Sequence, residues 1–261
     1  MQIRMDGRSA LITGGSRGLG RAMALKFAQA GADVAIVARR PEVLNETKRE
    51  IEAAAPGAKV RACPCDVRDP KQIQETFQAV VKDFGKLDIL VNNAGTSVRG
   101  KFEELTDEVW QEDFNLKLFA AVRFCRLALP GMKQRRWGRI INVLNTAAKA
   151  PAGEGAPTAV SRAAGMAMTK VLSKEAAPFN VLVNALCVGR FVTDQWLDHH
   201  KKQAPEKTFE QYMGDMGKTI PVGRVGDAEE FASVACLLAS DAGSYVAGVA
   251  INVDGGASPV V

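Results

Sequence analysis

The sequence predicts a single α/β domain built on a doubly wound, parallel, seven-stranded sheet with helices on both faces, and three observations lead there. Short apolar runs alternate with stretches of helical periodicity along nearly the whole chain. The first run ends in a glycine-rich turn that opens directly onto a helical pattern. At 261 residues, with 47% hydrophobic and 24% charged residues, the chain can fill one generous core and has no composition typical of a disordered tail.

The elements follow in order. Residues 9–13 (SALIT) form an apolar run, and 21–30 (RAMALKFAQA) repeat apolar residues at three and four spacing, which makes a strand followed by a helix. The cycle recurs with 33–38 before a helical 41–55, and with 59–65 before a helical 72–84. Runs at 89–92 (ILVN), 139–143 (RIINV), 181–186 (VLVNAL) and 250–253 complete seven strands. Continuous rather than alternating apolar character marks strands covered on both faces, and right-handed crossovers then give the doubly wound arrangement. The polar and aromatic stretch 192–219 departs from the cycle between the sixth and seventh strands. Ligands bind beyond the carboxyl ends of such strands, so this stretch is a candidate substrate lid.

The turn after the first strand reads Thr13-Gly14-Gly15-Ser16-Arg17-Gly18-Leu19-Gly20. Glycines at 14, 18 and 20 let backbone turn tightly and approach a pyrophosphate, whose charge meets the N-terminus of the following helix. A carboxylate at the end of the second strand would hold a ribose 2′-hydroxyl and repel a 2′-phosphate. This chain has Ala38 there, followed by Arg39 and Arg40, and Arg17 lies in the turn. Guanidinium forks suit a phosphate, so the expected cofactor is NADP(H).

Composition excludes other classes. The net charge of +5 is spread among interleaved acids and bases, without the basic block of a nucleic-acid binder. The five cysteines lack the spacing of a disulfide framework, which fits a reducing cytoplasm, and no metal centre is expected from Cys63, Cys65, His199 and His200. No apolar run reaches the length of a signal peptide or a membrane span.

TGGSRGLG (13–20), CDVRD (65–69), VNNAG (91–95), Asn115 in DFNLKLF, RIINV (139–143), VLVNAL with Gly189, and INVDGG (251–256) together resemble the short-chain dehydrogenase/reductase family, a Rossmann-fold family, in its short cytosolic form. The resemblance implies that Asp66 and Val67 contact adenine, and that Asn93, Ala94 and Gly95 line the dinucleotide beyond it. It further implies that Gly189 and Thr193 meet the nicotinamide carboxamide, with Val188-Gly189 where the family has Pro-Gly. Family members commonly form homodimers or homotetramers, which makes the apolar face Ala163, Met166, Ala167 and Val171 a candidate interface.

The family's reductases use an asparagine, a serine, a tyrosine and a lysine. By spacing, these positions fall at Asn115, Asn145, Thr158 and Arg162, so only the first is of the expected type. An aliphatic hydroxyl is a far weaker acid than a phenol, so Thr158 is not expected to act as general acid, although it can hydrogen-bond a ligand. Arg162 keeps a fixed charge and can fork onto ribose, and Asn145 offers an amide donor to a carbonyl oxygen. Substitute acids are sought among Lys149, Glu154, His199, His200 and Tyr212. Trp196, Phe209, Tyr212 and Met213, with Phe191, suggest an apolar wall for the substrate. The expected function is an NADP(H)-dependent oxidoreductase acting on a small apolar carbonyl or conjugated substrate through an altered site. The alternative is an inactive NADP(H)-binding homologue that serves as a sensor or assembly partner.

Overall fold

The computed structural model describes residues 3–261. Seven apolar segments pair into one parallel sheet: β1 (Ser9–Thr13), β2 (Asp33–Ala38), β3 (Val60–Pro64), β4 (Ile89–Asn92), β5 (Gly138–Asn145), β6 (Val181–Val188) and β7 (Ala250–Val253). Their order across the sheet is β3-β2-β1-β4-β5-β6-β7. The chain winds outward from β1 to β3, returns past β1 to β4, and winds outward again. Between β1 and β4 the two halves diverge, which opens a crevice at the carboxyl ends of those strands.

On one face α1 (Gly18–Gln29), α2 (Pro41–Ala54) and α9 (Ala228–Ala239) bury Phe27, Leu44, Ile51 and Phe231. The other face takes α3 (Pro70–Phe84), α5 (Ala120–Arg135) and α6 (Thr158–Ala176), with Ile73, Val80, Phe124 and Ala176 in its core. Reversing direction moves α3, α5 and α6 to this opposite face, while α9, in the connection from β6 to β7, returns to the first. Covering both faces explains why β1 is buried at every position.

Observed strands match the expected runs closely, but β5 and β6 extend two residues further, to Asn145 and Val188. Their last rungs, Leu144 with Cys187 and Asn145 with Val188, carry the sheet out to the crevice. Before α5, α4 (Asp107–Phe114) runs into a π turn at Asn115–Phe119, a local widening of the helix often found at functional sites. The stretch 192–219 folds into α7 (Asp194–Gln203) and α8 (Phe209–Gly217). Among the described residues no helix is long and apolar enough to cross a membrane.

Candidate active site

The glycine turn is a backbone construction. Gly14 and Gly18 have φ of +65° and +50°, a region that L side chains rarely adopt. A Cβ on Gly20 would overlap the carbonyl oxygen of Gly14, so the turn can close only on glycine. Arg17 caps α1 with extended backbone and no side-chain cap, whereas at α3 the Asp69 carboxylate accepts from the amides of Lys71 and Gln72. The first turn of α1 therefore keeps amides for an anion, and the turn fits a pyrophosphate.

Behind the turn, Thr13 and Asn93 bind it to the loop after β4. The Asn93 side-chain amide donates to the carbonyls of Thr13 (2.9 Å) and Gly14 (3.3 Å), and Thr13 Oγ1 accepts from the amides of Asn93 (2.9 Å) and Ala94 (3.0 Å). Asn93 thus spends its side chain on shaping the turn. Ser16 is fixed from α2 by the Thr47 hydroxyl, which donates to its carbonyl at 2.9 Å. Arg39 and Arg40 are exposed at the carboxyl end of β2. Nearby, Arg68 grips Asp66 by Nη2 to Oδ2 (2.6 Å) and Nε to Oδ1 (3.0 Å), which holds the carboxyl below its usual range. Val67 is buried beside it. At the far end, Gly189 donates to the Val253 carbonyl, and a side chain there would strike the Asp254 backbone. The methyl group of Thr193 lies over Gly18.

Beneath this crevice lies a buried polar cluster. Asp113 and Lys117, one helical turn apart, form an ion pair with side-chain exposures of 0% and 1%. The Lys117 ammonium also donates to Thr158 Oγ1 at 2.7 Å, Ser161 Oγ donates to Asp113 Oδ1 at 2.6 Å, and the Val98 amide donates to Thr158 Oγ1 at 2.9 Å. Thr158 is 2% exposed, and both lone pairs of its hydroxyl oxygen are taken by protein donors. Arg162 donates to the Val143 carbonyl at 2.7 Å, and a Cβ on Gly95 would collide with its guanidinium. Burial lowers Arg162 to about 10 and, with Arg162 beside it, lowers Lys117 to about 8 against the hold of Asp113. Asn145, at the end of β5, keeps a buried Oδ1 with no partner among the described residues. Asn115 is half-buried where the π turn begins.

A family profile described as enoyl-(acyl carrier protein) reductase matches residues 14–258. The chain is 35% identical to the 3-oxoacyl-(acyl-carrier-protein) reductase FabG of Thermotoga maritima over 97% of its length and 99% of that protein's. It is 33% identical to the NADPH-dependent reductase BacG of Bacillus subtilis over 97% and 98% of the two lengths. The crystal structure of L-sorbose reductase from Gluconobacter frateurii, complexed with NADPH and L-sorbose, superposes with a TM-score of 0.95 at 33% identity over the whole of both chains. The chain belongs to the short-chain dehydrogenase/reductase family.

Within that family frame, the groups considered as substitute acids prove to be engaged elsewhere or exposed. Lys149 donates to the Ala250 carbonyl at 2.6 Å, so its charge is bound to β7. Glu154 is exposed. His200 Nε2 meets the Lys207 carbonyl at 2.7 Å, and its ring packs between Phe209 and Tyr212. Tyr212 donates to Gln203, and His199 lies against Trp196. The apolar wall also needs correction. Phe191 is a core residue against Phe231, and Trp196, Phe209 and Tyr212 pack with Met213, Ile220 and Val225 to hold α7 and α8 together. On α6, Met166 packs toward Leu144 rather than outward, whereas Val160 and Val171 are exposed. Sequence reasoning missed Thr13, Asp113, Lys117 and Ser161.

Proposed function

We propose that this protein is an NADP(H)-dependent oxidoreductase that reduces a small apolar carbonyl or conjugated substrate through a variant site. The assembled dinucleotide crevice carries this reading: the glycine turn is braced by Thr13 and Asn93, and Arg39 and Arg40 stand where a 2′-phosphate would lie. NADPH complexes among relatives of this length support the same cofactor. When bound, the nicotinamide supplies a hydride. Around it, Gly14, Ser16, Gly18, Leu19 and Gly20 with Arg17 would hold the phosphates, and Asp66, Val67, Ala94 and Gly95 the adenosine and its linkage. Arg162, Gly189 and Thr193 would hold the nicotinamide end.

Asn145 would polarise a substrate oxygen through its side-chain NH2 donor, while its buried Oδ1, an acceptor, has no protein partner among the described residues. Conjugated acceptors fit such a site particularly well. Hydride addition to an enone leaves an enolate, which needs donors and positive charge more than an immediate strong acid. The exposed Val160 and Val171 support a homodimer or homotetramer through α6. The test is NADPH fluorescence on binding, followed by turnover against ketones, quinones and enones. Turnover that vanishes in an Arg39→Ala/Arg40→Ala variant at limiting NADPH supports the reading. Tight binding without turnover on the whole panel transfers the case to a cofactor-binding sensor or assembly partner.

A further inference from the structure

The cluster under the crevice has an unbalanced charge. It contains one carboxylate, Asp113 of α4, and two cations, Lys117 of the π turn and Arg162 of α6, with the hydroxyls of Thr158 and Ser161 between them. A surplus positive charge in a buried site favours release of a proton from one cation. Lysine can release it and arginine cannot.

Thr158 determines where that proton can go. A threonine hydroxyl has two lone pairs and one hydrogen. Lys117 Nζ at 2.7 Å and the Val98 amide at 2.9 Å donate to the oxygen, which fills both lone pairs. Its hydrogen has only a long bond, 3.3 Å, to Asp113 Oδ2, an oxygen already paired with Lys117. A hydroxyl that accepts from an ammonium and an amide is a stronger donor than an isolated alcohol.

We propose that Lys117, acting through the Thr158 hydroxyl, supplies the proton that a tyrosine at position 158 would have given. The proposal rests on the oxidoreductase reading. Once the carbonyl carbon has taken its hydride, the new alkoxide oxygen takes hydrogen from Thr158 Oγ1. Lys117 Nζ–H returns a proton to Oγ1, and the ammonium becomes an amine. Atoms and charge balance, and a solvent proton restores the ammonium. A cavity lined by Lys117, Asn92, Asn142, Ser161 and Arg162, in which Asn92 has an unpartnered Oδ1, gives Lys117 a polar side for that return. Lys117 never touches substrate and is a positioning residue. Thr158 is 2% exposed beneath the Val98 contact, so the relay requires the Val98 amide to release Oγ1 before a substrate oxygen can meet it. The value of about 8 that burial and Arg162 give Lys117 suits proton transfer near neutral pH.

The experiment compares wild type, Thr158→Val and Lys117→Arg with NADPH and the best carbonyl substrate from pH 6 to 10. Wild-type kcat should stay level below about pH 8 and fall tenfold per unit above it. Both variants should lose at least about 100-fold in kcat at pH 7, keep NADPH Kd within about threefold, and lose the break. Either variant keeping wild-type kcat and the same break overturns the proposal and leaves the oxidoreductase reading intact. If wild type binds NADPH but turns nothing over, that reading fails. The 13Cε signal of Lys117 in lysine-labelled protein then decides: a midpoint near 8 that Thr158→Val moves supports the coupled pair, and one above 10 or unmoved overturns it.

Discussion

The turn that opens α1 and the cluster beneath the start of α6 are joined by the loop 93–95, yet the first is built from backbone and the second from buried charge. Asn93 braces the turn through carbonyls, and Gly95 leaves room for the Arg162 guanidinium on its other side. Backbone donors need no counter-ion and tolerate exposure, so the turn sits open to the crevice. Buried charges hold only while each has its partner, so the cluster is closed off by Thr158 and Val98. In this chain, then, the glycine turn is held by backbone geometry while the cluster beneath it is built around a buried ion pair.

The sharpest break in that comparison is Asp113→Asn. It leaves Lys117 and Arg162 buried without a carboxylate, and removing one partner from such a pair costs about 3–5 kcal/mol. Thermal unfolding should shift down by roughly 6 °C or more for a chain of this size. A shift within 1 °C would mean that the pair is not held dry.

A related measurement uses pH. Lys117 is lowered in the folded protein from 10.5 to about 8, first by burial and then by Arg162, against Asp113. Between those values the unfolded chain binds more protons than the folded one, so this group's penalty is present below pH 8 and is relieved as pH rises toward 10.5. The span of 10.5 − 8 = 2.5 units corresponds to roughly 3 kcal/mol. Denaturant unfolding of wild type should gain roughly 2–3 kcal/mol on Lys117→Met between pH 7 and 10. A constant gap would show that Lys117 titrates alike folded and unfolded.

The nucleotide half should break in the opposite manner. Arg39→Ala/Arg40→Ala removes exposed side chains at the end of β2, so folding should be untouched. NADPH affinity should fall about 10–100-fold at low salt, while NADH affinity stays within about twofold. Equal losses for both nucleotides in calorimetric titration would remove the 2′-phosphate from the argument.

How much of this was legible in sequence differs between the same two regions. The glycine turn has a fixed strand–turn–helix context, so Gly14, Gly18 and Gly20 announce their own role. Asp113 and Lys117 carry no such context: an acid and a base four apart read as an ordinary solvated helix pair. What buries them is tertiary. The π turn at Asn115–Phe119 sits between α4 and α5, and α6 brings Thr158 and Ser161 against Asp113 from more than forty residues away. Lys149, judged from its place after β5, was captured by the Ala250 carbonyl, a partner that only the pairing of β6 with β7 brings near.

At Asn145 a small expected change in stability separates folding from function. Its Oδ1 is buried without a partner among the described residues, so the folded protein already bears the desolvation of that acceptor. Asn145→Ala removes the orphan along with a little packing, and the net should lie within about 1 kcal/mol, on the stabilising side if the acceptor's cost exceeds the lost contacts. If the amide polarises the substrate oxygen, turnover should still drop by about 100-fold. Residues kept at a cost to the fold are expected where function needs an unspent polar group. A variant that loses stability clearly while keeping its turnover would instead make Asn145 a packing residue, and the oxygen of the substrate would then have to be held from Asn115 or from the surplus charge of Arg162.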